Sequence, residues 1–213
     1  MNLILASASP RRKEILSMLD IPFEIIPADI DENVLANESP IDYVHRLSIE
    51  KAKKVADIHP KATVIGSDLT VDFRNDSYAK AENADEAKSM LKKFSGNTHY
   101  TRCGFAVIHR GILISSGIAS TKITFRKIPE DELNVYVDTE EWRGKAGAYG
   151  VQGAAAKFVQ DFNGSYFDIL GLPIYEIGVV LIKLGYKSSN SVFEEIQIKD
   201  KAEIERIIGN FIV

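Results

Sequence analysis

The chain holds one cysteine, Cys103, in 213 residues. That excludes an intrachain disulfide framework and a cysteine-rich zinc site, and it agrees with a reducing compartment. Long apolar runs are also missing: none approaches the ~20 residues of a membrane span. No excess of basic charge exists, since 26 Lys and Arg face 30 Asp and Glu for a net charge of -4. Nucleic-acid affinity rests on many cations meeting phosphates, so stable nucleic-acid binding is not expected. A local basic pocket for a small anion is still allowed. The opening MNLILASASPRR has no basic stretch before its short apolar run, and it is expected to be a strand rather than a signal peptide. A cytoplasmic protein with no membrane partner is expected.

Several catalytic patterns are absent too. There is no GxxxxGK[ST], GxGxxG or HExxH, and no GxSxG nucleophile elbow. His45, His59, His99 and His109 are scattered without metal-ligand spacing and read as surface or core residues.

What is present alternates between strand and helix patterns. Residues 2–7 read as a buried strand feeding a helix capped by Ser9, with Pro10 at its first position. Residues 23–29 read as a second strand and 29–34 as an acidic loop. A helix from Ser39 to about Asp57 carries the seam Val44, Leu47 and Val55, with Lys51 set in it. Residues 62–68 read as a buried strand ending in a polar tip at Asp68. Asn83 and Glu86 form a capping box for a helix with the stripe Ala87, Met90, Leu91 and Phe94. Residues 98–109 and 112–127 predict a long hairpin around Gly111, and Pro129 opens a helix to about Asp138. A glycine-rich stretch at 144–153 precedes a hairpin-like segment at 154–170 and a helix at 173–184. Residues 187–213 read as a polar linker and a short amphipathic helix with Ile204, Ile207 and Ile208. The order predicts an α/β protein with a mixed, twisted sheet.

Four places could carry chemistry. In SASPRRKEIL the cations Arg11, Arg12 and Lys13 crowd a helix start that is already partly positive. Each should cost roughly 0.3–1 kcal/mol, unless an anion sits there. Free N–H groups, the Ser7 and Ser9 hydroxyls and bidentate arginines would together bind phosphate. The alternative is an ordinary serine cap beside a solvated basic end. Lys51 either snorkels from its seam or reaches a bound anion. Asp68, at the end of a strand, either holds a metal or orients water, or caps a turn. Asp29, Asp31 and Glu32 are either Mg²⁺ or Mn²⁺ ligands or a solvated loop. Lys80 and the glycine-rich loop with Lys145, Tyr149 and Gln152 are further candidates, Gln152 offering both a donor and an acceptor to a base edge.

Taken in order, LILASASPRRKEIL, RLSIEKA (46–52), VIGSD (64–68), ADEAKSML (84–91), FSGNTH (94–99), GKAGAYGVQG (144–153) and NGSYFDILGLP (163–173) resemble the Maf family of nucleoside triphosphate pyrophosphatases. The resemblance covers about residues 2–185. It implies an elongated two-lobed α/β domain with a central cleft over residues 1–185, followed by a C-terminal extension at 186–213. It also implies hydrolysis between the α and β phosphates with a divalent metal cation, and a homodimer. By resemblance Asp68 is the proton acceptor. Ser7, Ser9, Arg11, Arg12, Lys51, Lys80 and Gln152 bind substrate, and Glu32 and Asp68 hold metal. The dTTP/UTP branch fits at Arg11 and Gln152, while Leu69 replaces its threonine and Ala81 replaces the family's usual proline. The other classes weighed are a nucleotidyltransferase and a nucleotide-binding regulator with little turnover.

Overall fold

A computed structural model describes residues 2–188. The short amphipathic helix expected around Ile204 lies outside the described residues. In chain order the elements are β1 (Leu3–Leu5), α1 (Pro10–Ser17), β2 (Glu24–Ile25), α2 (Pro40–Ile58), β3 (Thr63–Phe73), β4 (Asp76–Tyr78) and α3 (Ala84–Phe94). Then come β5 (Thr98–His109), β6 (Ile112–Phe125), α4 (Glu130–Asp138), a 3₁₀ turn (Ala154–Phe158), β7 (Val159–Asn163), α5 (Tyr166–Leu170) and α6 (Ile174–Lys183). The strands form one sheet in the order β2-β1-β3-β5-β6-β7, with β4 also on β3. β1 runs parallel to β2 and β3, and the other pairs are antiparallel. The sheet is therefore mixed, as expected.

Local chemistry accounts for the helices. Ser9 accepts from the Arg12 amide and Ser39 from the Asp42 amide, each ahead of a proline at the helix start. Asn83 accepts from the Glu86 amide at 2.9 Å, while the Glu86 carboxylate closes on the Glu82 amide at 2.7 Å. The capping box thus forms one residue wider than its usual pattern. No acidic residue occupies the first turn of α1; the nearest carboxylate in the helix, Glu14, acts on Arg11 from the second turn.

β3 organises everything else. On one side it pairs with β5 from Thr63 to Asp72. On the other, β1 covers only Thr63 to Ile65 and β4 only Val71 to Phe73. Residues 66–70 have no strand on that side, so the sheet is notched in its middle. Side chains alternate across a strand, so Asp68 shares a face with Gly66, and Leu69 takes the opposite face. α2 lies tightly on the first face. A Cβ on Gly66 would fall 2.1 Å from the Ser48 carbonyl oxygen, and one on Gly104 would fall 2.2 Å from that of Val44.

The apolar core divides at the notch. One cluster joins Val71, Phe73, Phe94, Phe125, Trp142 and Tyr149; a second joins Leu3, Leu5, Leu16, Ile65, Phe105 and Ile177; a third lies under α2. In the first cluster the Phe94 ring stands 5.2 Å from Tyr78, 5.8 Å from Phe73 and 4.6 Å from His99. His99 is therefore a core residue, with Nε2 2.8 Å from the Tyr149 hydroxyl. Because β3, β5 and β6 run through both halves, no composition shift marks where one ends.

Three expectations need correction. β3 does not stop at Asp68 but continues through LTVDF, because Lys51 accepts Asp68 as a buried ion partner in mid-strand. The second strand pairs only over Glu24–Ile25. Residues 154–170 are not a hairpin: Ser165 caps a new helical turn after a single strand, and Gly164 makes the bend at φ 140°.

Candidate active site

The notch in β3 opens into a cleft of ≈ 810 Å³. The turn after β1 and the start of α1 form one wall, bringing Ser7, Ser9, Arg11 and Arg12. The loop before α2 brings Glu32, and α2 brings Tyr43 and Lys51. β3 supplies Asp68 and Leu69, the segment after β4 supplies Lys80, and the glycine-rich loop supplies Gln152. The residues expected to bind substrate, hold metal, accept the proton or set specificity therefore all line this one cleft, whereas Tyr149 of the glycine-rich loop is a core residue against His99. Asp29 and Asp31, also considered in the acidic loop, do not line it.

At the centre, the Lys51 ammonium donates to Asp68 Oδ1 at 2.5 Å and to Glu32 Oε1 at 2.7 Å. Lys51 and Asp68 are both 6% exposed. The snorkelling alternative for Lys51 is thus set aside: its amine is buried and ion-paired. Burial opposes ionisation of Glu32, but the Lys51 hydrogen bond, aided by the charges of Lys51, Lys80 and Arg12, holds its carboxyl below the usual range. Tyr43 donates to the Glu32 carbonyl oxygen at 3.0 Å. Burial, then the charges of Asp68 and Glu32, push its hydroxyl up to about 12, so it stays a donor.

The first wall is fixed by contacts distant in sequence. Arg12 donates from Nε to the Gly171 carbonyl oxygen at 2.8 Å and from Nη1 to Ser7 Oγ at 3.1 Å. Ser7 Oγ also accepts the Ser9 amide at 3.2 Å. Ser67 Oγ lies 2.9 Å from the same Gly171 oxygen and 2.8 Å from that of Gly104. Arg12 is thereby oriented by a loop 159 residues away, which no local pattern announces. Burial, followed by the charge of Arg12, lowers the pKa of Arg11. Arg12 thus adds to the effect of burial, and the Glu14 charge opposes it.

Two further cations line the cleft, Arg143 and Lys145. Lys145 belongs to the glycine-rich candidate loop; nothing in the local sequence sets Arg143 apart from other surface-type arginines. Lys80 is anchored through its backbone, in a bridge to Ala146, so Ala81 in place of proline does not leave that segment untethered. In all, six cationic and two anionic side chains line the cleft of a protein whose net charge is -4. Such a concentration of positive charge suits a polyanion. Arg11, Leu69 and Gln152 also meet in a small recess at its side, with Val71, Ala146, Tyr149 and Ile169.

Among the described residues no group of three or more His, Cys, Asp or Glu could hold a metal ion. The two carboxylates that meet at Lys51 are the available protein ligands. That number fits Mg²⁺, which is commonly bound through one or two carboxylates plus substrate phosphates.

The sequence pattern of the family described as "Maf-like protein" matches residues 2–184. The chain belongs to the Maf family. Among its Maf relatives, a "dTTP/UTP pyrophosphatase" of Syntrophus aciditrophicus is 41% identical over 86% of this chain and 90% of its own. A protein of the same name from Bacillus cytotoxicus is 40% identical over 80% and 89% of the two chains. One from Pyrococcus horikoshii is 40% identical over 88% and 98%. No helix among the described residues of this Maf protein is long and apolar enough to cross a membrane.

Proposed function

We propose that this chain hydrolyses nucleoside triphosphates to the monophosphate and pyrophosphate, with thymine and uracil nucleotides as the preferred class. The carrying observation is the cleft itself, where five further cations share the lining with the Lys51–Asp68–Glu32 cluster. The names of the Maf relatives support the base class. In this reading the triphosphate lies over the start of α1. The guanidinium groups of Arg11 and Arg12 take its charge, with Lys80 and Lys51 opposite. Asp68 accepts the proton of the attacking water. Gln152 meets the base edge, and Leu69 packs against the base. A divalent cation, Mg²⁺ or Mn²⁺, held by Glu32 and Asp68, would supply charge neutralisation at the phosphates.

A panel of nucleoside triphosphates scored for pyrophosphate release tests the reaction. Free monophosphate plus pyrophosphate is the expected product pair. A monophosphate conjugated to an acceptor would favour a nucleotidyltransferase, and tight binding without turnover a regulator. Asp68→Asn should abolish release; retention of wild-type rates would remove Asp68 from the proposed role. Cytoplasmic residence and a homodimeric state belong to the same proposal, and light scattering on the purified chain tests the second.

A further inference from the structure

Gln152 stands on a loop that would be loose if glycines were all that shaped it. A further constraint comes from Glu141. This residue follows α4 and precedes the glycine-rich stretch. Its Oε2 accepts the Ala154 amide at 2.9 Å, which caps the 3₁₀ turn from outside. Gly153, the residue at the cap position, has no side chain to do so. The carboxylate also fills the space a side chain would need there: a Cβ on Gly153 would lie 2.1 Å from Glu141 Oε1. One residue thus pins both ends of the loop, while the Lys145 amine donates back to the Glu141 carbonyl oxygen. Between these ties the Gln152 amide lies over Gly150, where a Cβ would meet Gln152 Oε1 at 2.8 Å and Lys145 Cδ at 2.9 Å. Glu141 Oε1 is itself buried without a hydrogen-bond partner. A buried carboxylate oxygen left unmatched is costly.

We infer that Glu141 is a positioning residue for base selection: by clamping residues 153–154 it sets where the Gln152 amide meets the base. The inference rests on the proposed nucleotide reading and adds to it a specificity determinant that does not itself touch the base. It also predicts which substitutions matter. Glu141→Ala removes the clamp. Gly153→Ala keeps Glu141 but expels its carboxylate. Glu141→Gln keeps an oxygen able to accept the Ala154 amide.

The test measures kcat and KM for dTTP, UTP, CTP and GTP in the wild type, these three variants, Gln152→Ala and the double variant Glu141→Ala/Gln152→Ala. Glu141→Ala and Gly153→Ala should each reduce the ratio of dTTP to CTP efficiency by about 10-fold, mainly through KM for dTTP. Glu141→Gln should restore most of that ratio. The double variant should select no worse than Gln152→Ala alone, because residues acting through one another are not additive. A lowered melting temperature with an unchanged selectivity ratio in both Glu141→Ala and Gly153→Ala would overturn the inference and leave a purely structural cap. If Glu141→Ala fails to fold, Gly153→Ala and Glu141→Gln still decide. Pyrophosphate release from no nucleotide at all would instead overturn the underlying functional reading.

Discussion

Replacing Lys51 with methionine removes one ammonium and keeps nearly the same volume, so it isolates the charge at the centre of the cleft. Two carboxylates lose their partner, but not equally. The Glu32 side chain is 47% exposed, and water can take over there at a cost of ~0–1 kcal/mol. Asp68 is only 6% exposed, and stranding a buried charge typically costs ~3–5 kcal/mol. Its share therefore dominates. For a protein of this size each kcal/mol moves the melting temperature by roughly 2–4 °C, so Lys51→Met should lower it by roughly 6–20 °C. Urea titration at neutral pH measures the free-energy loss directly. The double variant Lys51→Met/Asp68→Asn should recover much of it, since a neutral amide needs no cation. A loss below ~1 kcal/mol, or a double variant no more stable than Lys51→Met, would refute the view that the ammonium compensates a buried carboxylate.

Triphosphates should stabilise the protein by relieving the crowding at α1: at a hundredfold excess over Kd the gain is ~2.7 kcal/mol, or roughly 5–10 °C. The absence of any thermal shift would leave that crowding unrelieved. Burial holds the His99 imidazole neutral, its pKa pushed down to about 3 from an ordinary 6.5. Only the unfolded chain takes up that proton in between, so stability should fall as pH drops from 6.5 towards 3, by ~1.4 kcal/mol per pH unit. Asp168 acts in the opposite sense, because burial, then the charge of Glu176, push it up to about 7 from 3.8. Its contribution is full below 3.8 and lost as pH rises through 7. Urea midpoints against pH should therefore flatten in His99→Gln on the acid side, while Asp168→Asn should be more stable than wild type above pH 7 and not near pH 4. Gly66→Ala places a Cβ against backbone atoms of α2 and should cost ~1–3 kcal/mol. It should also lower turnover, since α2 carries Lys51; circular dichroism melts and pyrophosphate assays would show both.

The elements with local signals were legible in the sequence. Ser9-Pro10, Ser39-Pro40 and Asn83 announce helix starts, and the alternation at 98–109 and 112–127 announces the hairpin. What resisted reading depends on partners far along the chain. Asp68 looks like a strand tip because an aspartate inside a buried strand is unfavourable until Lys51, on α2, is brought beside it. The turn at Ser165 hides within a stretch that alternates well enough to pass for a second strand. At the site, the residue types pointed to the cleft because phosphate chemistry demands clustered cations. The fastening of Arg12 to Gly171, and of residues 153–154 to Glu141, left no periodic or spacing signal to follow.

The notch at residues 66–70 has a mechanical consequence. A cleft between separate domains opens and shuts on a linker, where a few dihedrals absorb the motion. Here β3, β5 and β6 continue unbroken past the opening, with β5 backing the stretch of β3 that has no strand on its other edge. Drawing the two walls onto a ligand must therefore twist a continuous ribbon. The restoring force is spread over three paired strands like the stiffness of a leaf spring, and the resting width of the cleft is fixed by the natural coil of the sheet.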